Sequence, residues 1–186
     1  MRKLVCLVGL FFLVGLPAAA QESRPTTDIS LGYSYIRANP STTGFSDFNV
    51  NGGTASLAYN PGSWYGIAGE FGDYHVGQIG GTSVDTNVIT YMFGPQVYYH
   101  HFGHFTPFVQ GLFGGAHSNG AGFGTPGTRN SFAIAAGGGV DIPVKSHVSV
   151  RLGPVDYLLT DFPEFPGGGR KVQNNLRVSG GVRWRF

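Results

Sequence analysis

Apolar and polar residues alternate strictly through the last segment of the chain, 176–186. One face carries apolar residues and a glycine, whereas the other carries serine, glycine and three arginines. The apolar face consists of Leu176, Val178, Gly180, Val182, Trp184 and Phe186. A period of two residues predicts a β-strand. A strand with one apolar face, one charged face and a terminal aromatic residue fits a transmembrane β-barrel, whose outside is apolar and whose inside is polar.

Seven earlier segments show a similar alternation between turn signals, so the pattern predicts eight strands. Strands of about 9–11 residues are long enough to cross a bilayer at a tilt. The predicted strands are Asp28–Arg37, Asn51–Tyr59, Trp64–Asp73, Asp85–Tyr99, Thr106–Ala116, Ser131–Asp141, His147–Leu159 and Leu176–Phe186. Proline cannot donate to a strand ladder, so Gly153-Pro154 predicts a bulge in the seventh strand.

The predicted connections alternate in length along the chain. Polar or glycine-rich stretches predict long loops at 39–44, 77–83, 117–129 and 161–170, and short turns are predicted at 60–63, 100–103 and 143–146. Outer-membrane barrels have short periplasmic turns and long outer loops, so both termini are expected on the periplasmic side. The pattern therefore predicts an all-β fold, an eight-stranded antiparallel up-and-down transmembrane β-barrel whose closure removes the sheet edges.

The amino-terminal segment has the features of a signal peptide. A short basic region, Arg2-Lys3, precedes an apolar run at 4–16, and Ala18-x-Ala20 supplies a cleavage site. We expect residues 1–20 to be a cleaved signal peptide and residues 21–186 to form the barrel domain. Cys6, the one cysteine of the sequence, lies within the signal peptide.

Charge and composition agree with this prediction. The sequence has 12 Lys and Arg residues against 10 Asp and Glu. Because Arg2 and Lys3 lie in the predicted signal peptide, the remainder is formally neutral, which argues against a nucleic-acid partner. Charged residues form only 12% of the sequence, while aromatic residues form 14% and there are 31 glycines. This composition is unlike that of a soluble helical domain.

Several polar residues fall on the predicted inward face. An eight-stranded barrel has a lumen that side chains can fill. A buried carboxylate without a partner is costly, so we expect Glu70 to pair with an arginine such as Arg151 or Arg177. A structural ion-pair plug is favoured over a gated polar path. The inward polar candidates are Asp28, Glu70, Gln110, Asp141, Arg151, Arg177 and Arg183, joined by Asp156 if the bulge shifts the register.

Catalytic and metal-binding interpretations are weaker. His147-Val-Ser149 matches the local pair of a lipid A deacylase, with Asp161 or Glu164 as the acid. These groups lie at opposite ends of one predicted strand, tens of ångströms apart, whereas a catalytic triad needs contacts near 3 Å. The histidines at 100, 101 and 104 have no Asp, Glu or Cys beside them, so a solvated turn is expected rather than a metal site. We expect no catalytic residues, no metal and no cofactor.

Longer motifs resemble a known family. They are Tyr91-Met-Phe-Gly-Pro95, Thr106-Pro-Phe108, Leu112-Phe-Gly-Gly-Ala-His117, Ala136-Gly-Gly-Gly-Val-Asp141, Arg151, Asp156-Tyr-Leu-Leu-Thr160 and Gln173-Asn-Asn-Leu-Arg177. With them the chain resembles the small eight-stranded outer-membrane barrels related to the OmpA transmembrane domain, of acidobacterial type. The resemblance implies the cell outer membrane of a Gram-negative bacterium as the location. Val182, Trp184 and Phe186 resemble the carboxy-terminal signal through which such proteins meet the barrel assembly machinery.

The function expected from the sequence is correspondingly general. We expect a barrel without catalysis that contributes to envelope integrity or to surface interactions, with outer-membrane lipid and lipopolysaccharide as partners and a monomeric state. A narrow low-conductance channel is the main alternative, and a lipid A-modifying enzyme is a weaker one. A soluble lipocalin-like barrel, with its apolar side facing inward, is the remaining possibility. The loop aromatics of interest are Phe45, Phe48, Phe123, Phe162 and Phe165.

Overall fold

The computed structural model describes residues 25–39, 48–79, 82–122, 125–163 and 170–186. Eight strands form a closed barrel in chain order, and each strand pairs antiparallel with its neighbour. Pairing of the last strand with the first closes the sheet. The strands are β1 Thr26–Asn39, β2 Phe48–Asn60, β3 Tyr65–Ile79, β4 Thr82–Tyr98, β5 Thr106–Gly122, β6 Thr125–Lys145, β7 Val148–Pro163 and β8 Arg170–Arg185. The predicted fold class is confirmed.

Side chains alternate between the two faces of the barrel wall, as the sequence pattern predicts. On β2, Leu57 is 57% exposed while its neighbour Ala58 is 4% exposed. Exposed apolar residues recur on the outward face of the other strands, among them Ile67, Val109 and Leu176. Lipid cannot satisfy backbone hydrogen bonds, so a sheet with an apolar outside has to be closed. In the described part of the chain, no helix is long and apolar enough to cross a membrane.

The strands are longer than predicted at the end of the barrel opposite the termini. The predicted loop at 77–83 is wrong for most of its length, because β3 continues to Ile79 and β4 begins at Thr82. The predicted loop at 117–129 is also mostly strand, since β5 and β6 pair as far as Gly122 and Thr125. Likewise, β7 runs to Pro163, and β8 begins at Arg170. Gly, Ser and Asn have low intrinsic β-propensity, but pairing with a neighbouring strand overrides that preference.

The predicted bulge at Gly153-Pro154 is present. The register with β8 shifts between Leu152 and Val155, and Gly153 has a φ of 96°, a conformation that favours glycine. The pairing of β6 with β7 also shifts, between Gly138 and Val140. The shift changes which residues of β7 face inward, so that Arg151 before it and Asp156 after it are both buried.

The barrel end that carries both termini is rich in aromatic residues. Tyr59, Tyr99 and Phe186 are each more than half exposed there, as expected for a membrane-interface girdle. The position of Tyr98 beside a turn at this end predicts that it belongs to the same girdle, and that prediction is wrong. Its side chain is 2% exposed, because it shares the inward face of β4 with Gln96.

Some predictions fall outside the described residues. These are the signal peptide at 1–20 and the loop aromatics Phe45, Phe123 and Phe165. The other two proposed loop aromatics, Phe48 and Phe162, lie within β2 and β7.

Adjacent spin labels on β2 test which face of the wall meets lipid. We expect a nitroxide at Leu57→Cys to collide with oxygen dissolved in the acyl chains, whereas one at Ser56→Cys, which faces the lumen, is immobilised and shielded. Power-saturation spectroscopy in phospholipid vesicles measures both, and Cys6 is the only native cysteine. Higher oxygen accessibility at position 56 than at position 57 would contradict this orientation.

Candidate functional site

An ion cluster centred on Arg177 lies in the lumen. The Arg177 side chain on β8 has no exposed surface, and its guanidinium contacts Asp156 on β7 and Glu70 on β3. Arg177 Nε donates to Asp156 Oδ2 at 3.0 Å, Nη1 donates to Glu70 Oε1 at 2.5 Å, and Nη1 also reaches the Tyr74 hydroxyl at 3.1 Å. Asp156 and Arg177 are register partners. One arginine therefore joins three strands across the lumen.

A second ion cluster, the Arg183 cluster, lies closer to the termini. Arg151 binds Asp141 through two hydrogen bonds of 2.7 and 2.8 Å, a bidentate geometry that is among the stronger ion-pair arrangements. Arg183 bridges Asp141 and Asp28. Asp28 also accepts from Arg185 at 3.0 Å. The cluster links β1, β6, β7 and β8 around the lumen.

Neutral polar side chains connect the two ion clusters. The Gln110 amide lies 3.5 Å from Asp156, and Gln96 donates to Gln110 at 3.3 Å. The Tyr98 hydroxyl donates to Gln96 at 2.7 Å, and the Tyr98 ring lies 4.8 Å from the Arg183 guanidinium carbon. Hydrogen bonds and one cation–π contact therefore form a continuous path from the Arg177 cluster to the Arg183 cluster.

Glycines make room for these contacts. Gly137 is the register partner of both Gln110 and Asp156, and it lies between them on β6. A Cβ at Gly137 would overlap the Asp156 carboxylate and the Val155 carbonyl oxygen. The missing side chain thus allows Gln110 and Asp156 to approach each other across an intervening strand. This position gives the Gly137–Gly139 run, which lacks phosphate-loop spacing, a packing role.

The charges of the lumen network cancel. Its carboxylates are Asp28, Glu70, Asp141 and Asp156, and its guanidinium groups belong to Arg151, Arg177, Arg183 and Arg185. Four negative charges thus face four positive charges. Removing one partner of a buried ion pair typically costs about 3–5 kcal/mol, because it leaves the other charge uncompensated. We therefore expect the charged groups of the network to become buried together when the barrel folds.

Apolar side chains fill the lumen beside and beyond the Arg177 cluster. Ile36 and Val50 are register partners and are 7% and 5% exposed. They belong to a continuous buried group that also includes Tyr74, Met92, Leu112, Ala116, Ala133, Ala135 and Leu158. An apolar layer of this kind offers no ligands to a hydrated ion.

A small polar cavity remains between the two ion clusters. Its volume is about 20 Å³, and its lining includes Ser30, Ser56, Glu70, Arg151 and Ser179. A single water molecule needs roughly 10–15 Å³ of space for its centre. The cavity therefore has room for about one water molecule with several polar partners.

The structure places the six charged residues proposed for the lumen inside the barrel and joins them in the two ion clusters. Gln110, the neutral candidate, is also buried and lies between the clusters. Glu70 pairs with Arg177, one of the two arginines named for it. Asp156 enters the lumen through the bulge. Sequence reasoning missed Tyr74, Gln96 and Tyr98. Tyr74 shares the inward parity of Glu70 but lay beyond the predicted end of the third strand. Arg185 was also missed, although its parity with Arg183 could have indicated it.

The possible enzyme residues lie far apart. His147 is exposed in the turn before β7, and Ser149 is the register partner of Arg183. Asp161 lies near the opposite end of β7, where it pairs with Phe132. Twelve residues at about 3.3 Å each separate Ser149 from Asp161 by about 40 Å. Glu164 lies outside the described residues.

The histidine-rich turn at 99–105 packs on aromatic rings. His100 lies against Tyr98, and His101 stacks on Tyr99 with ring centres 5.2 Å apart. Partial burial lowers the pKa of His100, and the positive charges of Arg185 and Arg183 lower it further. This turn contains His104 as well, yet within the described ranges no three His, Cys, Asp or Glu side chains are grouped to hold a metal ion.

Comparison with known proteins identifies the family. Residues 6–186 match the family described as the outer membrane protein beta-barrel domain. The chain belongs to this family. Membership places the protein in the outer membrane. No curated protein sequence matches the chain.

Solved structures of small outer-membrane barrels share this fold. Neisserial surface protein A is 13% identical with a TM-score of 0.67, covering 86% of this chain and 97% of that one. Ail, the attachment invasion locus protein of Yersinia pestis, is 18% identical with a TM-score of 0.60, covering 88% and 100%. The N-terminal barrel of Pseudomonas aeruginosa OprF is 14% identical with a TM-score of 0.55, covering 89% and 100%. At these identities the likeness to the solved barrels concerns the fold alone.

Glycine substitutions test the packing of the lumen network. We expect Gly137→Ala to lower the free energy of unfolding by about 1–3 kcal/mol, because its methyl group crowds Asp156. Gly111→Ala is the matched control, since a Cβ there meets nothing within 4 Å, and it should change stability by less than about 0.5 kcal/mol. Urea unfolding in phospholipid vesicles measures both. Equal effects of the two substitutions would contradict the assigned role of Gly137.

Proposed function

We propose that this protein is a closed, non-catalytic outer-membrane barrel that supports envelope integrity and presents a surface for interactions. The observation that carries this proposal is the packed lumen. The Arg177 cluster, the Arg183 cluster and the apolar group around Leu112 fill the space that a channel would need. A cavity with room for about one water molecule does not provide an ion path.

The main alternative is a narrow channel, which would require the ion clusters to separate. Arg177 alone makes contacts with Asp156, Glu70 and Tyr74. Moving the Arg177 guanidinium would leave Asp156 and Glu70 without another counterion described in the structure. The closed state is therefore favoured. The enzyme alternative is disfavoured by the separation of Ser149 from Asp161.

The orientation proposed for the barrel places both termini in the periplasm. At the terminal end the connections 61–64, 99–105 and 146–147 follow closely on the apolar stripe of the wall. At the opposite end β3 with β4, and β5 with β6, continue beyond the apolar stripe as long paired extensions before they connect. Outer-membrane barrels have their short turns on the periplasmic side. The aromatic rim formed by Tyr59, Tyr99 and Phe186 then lies at the inner-leaflet interface.

Conductance measurement tests the closed lumen. We expect planar lipid bilayers containing the purified protein to show no discrete conductance steps, because packed side chains block the lumen. Folded protein in the same preparation is verified by a gel mobility that changes on boiling. Reproducible single-channel steps from the folded protein would establish the channel alternative instead.

A further inference from the structure

An open groove lies on the outward face of the barrel wall, across β1 to β4. Its volume is about 620 Å³, and its floor includes Ala55 and Gly69. Glu70 lies behind the floor, but its carboxylate is turned into the lumen toward Arg177. The groove is therefore apolar toward the membrane. Its outward walls are formed by Ile29, Leu57, Phe71, Tyr91 and Phe93.

Gly69 in the floor of the groove has no packing role within its own chain. Among the described residues, a Cβ added there would meet only the Leu57 carbonyl oxygen, at 4.0 Å. Gly115 on β5 also faces outward but differs, because a Cβ there would lie 2.6 Å from the Tyr91 ring that already covers it. Glycine weakens a strand and often marks a place where another chain or a ligand approaches closely. Gly69 thus leaves a space that a molecule from outside can fill.

An aromatic ridge, defined as Phe93 and Phe113, stands beside the groove. The two ring centres are 4.3 Å apart, and the residues are 54% and 43% exposed. Phe93 is the register partner of Gly69 on one side and of Phe113 on the other. With strands about 4.8 Å apart and tilted by about 40°, register partners on neighbouring strands differ in depth by about 3 Å. Groove and ridge therefore face the same way at nearly the same depth.

Both features lie within the part of the wall that faces acyl chains. On β4, the outward residues on either side of Tyr91 and Phe93 include Ile89 and Val97, which are apolar as well. In lipid, apolar side chains gain nothing by leaving water, so association depends on close packing, and small residues at the contact permit it. Two smooth cylinders touch only along a narrow line. A ridge that enters a groove enlarges that contact.

We propose that the aromatic ridge of one copy inserts into the groove of a second copy, giving a two-fold symmetric dimer within the membrane. A two-fold axis along the membrane normal keeps each residue at its own depth, and each copy then supplies one ridge and one groove. The inserted rings meet Phe71 and Tyr91 of the other copy, and aromatic pairs gain more than their buried area alone provides.

A lipid acyl chain is the competing occupant of the groove. It has many rotatable bonds to order, whereas a phenylalanine side chain has only two, so the rings lose less conformational entropy on insertion. The dimer takes the place of the monomeric state expected from the sequence. It goes beyond the proposed function and depends neither on the closed lumen nor on the orientation of the barrel.

Förster transfer between donor- and acceptor-labelled copies in phospholipid vesicles tests the dimer. The labels are attached to Ser63→Cys in the exposed turn after β2, and Cys6→Ser removes the native cysteine. Dilution with lipid gives the protein-to-lipid ratio at which half of the copies are associated. We expect transfer above the level of randomly distributed copies. Gly69→Leu should raise the ratio at half association by about tenfold, because its side chain overfills the floor that the rings occupy.

Matched variants separate the proposed contact from a general effect on the wall. Gly180→Leu on β8 is the control for Gly69→Leu, since a Cβ there meets only the Arg151 carbonyl oxygen, at 3.7 Å, and the ratio should stay within about twofold. Boiling-dependent gel mobility verifies the fold of each variant.

Removal of the ridge covers the case in which Gly69→Leu fails to fold. Phe93→Ala/Phe113→Ala should also raise the ratio at half association by about tenfold. Leu152→Ala/Leu176→Ala, which removes two exposed apolar side chains from β7 and β8, should leave the ratio within about twofold.

Two results would overturn the inference. One is transfer no higher than that of randomly distributed copies before any substitution in the groove or ridge, which would leave the groove to lipid acyl chains. The other is equal weakening by each variant and its matched control, which would place the contact elsewhere on the wall. Neither result affects the closed lumen, because conductance is measured separately.

Discussion

Charge neutralisation inside the lumen is the constraint on which the rest of the structure depends. A barrel in lipid has to direct its polar side chains inward, and the described lumen has little room for water to solvate them. Arg177, fully buried, is stabilised only if Asp156 and Glu70 reach it. The bulge at Gly153-Pro154 brings Asp156 inward, and Gly137 makes space beside it. Local backbone features thus serve a long-range ion network.

The outside of the barrel follows from a different requirement. Apolar residues face the acyl chains over a height of roughly 25 Å, and the two rims meet different surroundings. Aromatic residues such as Tyr59 and Tyr99 mark the rim at the termini, whereas Asn87, Asn119 and His75 mark the other. The chemistry of the outward face therefore changes from one end of the barrel to the other.

Period-two alternation was sufficient to predict eight strands and their inward faces. The cost of an unpaired buried carboxylate then predicted an arginine partner for Glu70, with Arg151 and Arg177 both possible. Alternation was insufficient at strand ends, because the stretch at 117–129 is rich in Gly, Ser and Asn, and pairing with a neighbouring strand overrides low propensity. For the same reason Tyr74 was missed, since its strand was predicted to end at Asp73, whereas β3 continues to Ile79. The position of Tyr98 beside a turn suggests the girdle, whereas its parity with Gln96 correctly indicates the inward face. Which carboxylate meets which arginine depends on barrel register and shear, and these arise only on closure.

A double-mutant cycle between Arg177 and Asp156 tests the account most directly. Urea unfolding in phospholipid vesicles would give the free energies for Arg177→Met, Asp156→Leu and the double variant. Each single variant should lose about 3–5 kcal/mol, and the double variant should lose less than the sum by at least about 1.5 kcal/mol, because neither charge is left unpaired by the other's removal. Additive losses, within about 0.5 kcal/mol, would contradict the view that mutual neutralisation holds the lumen together.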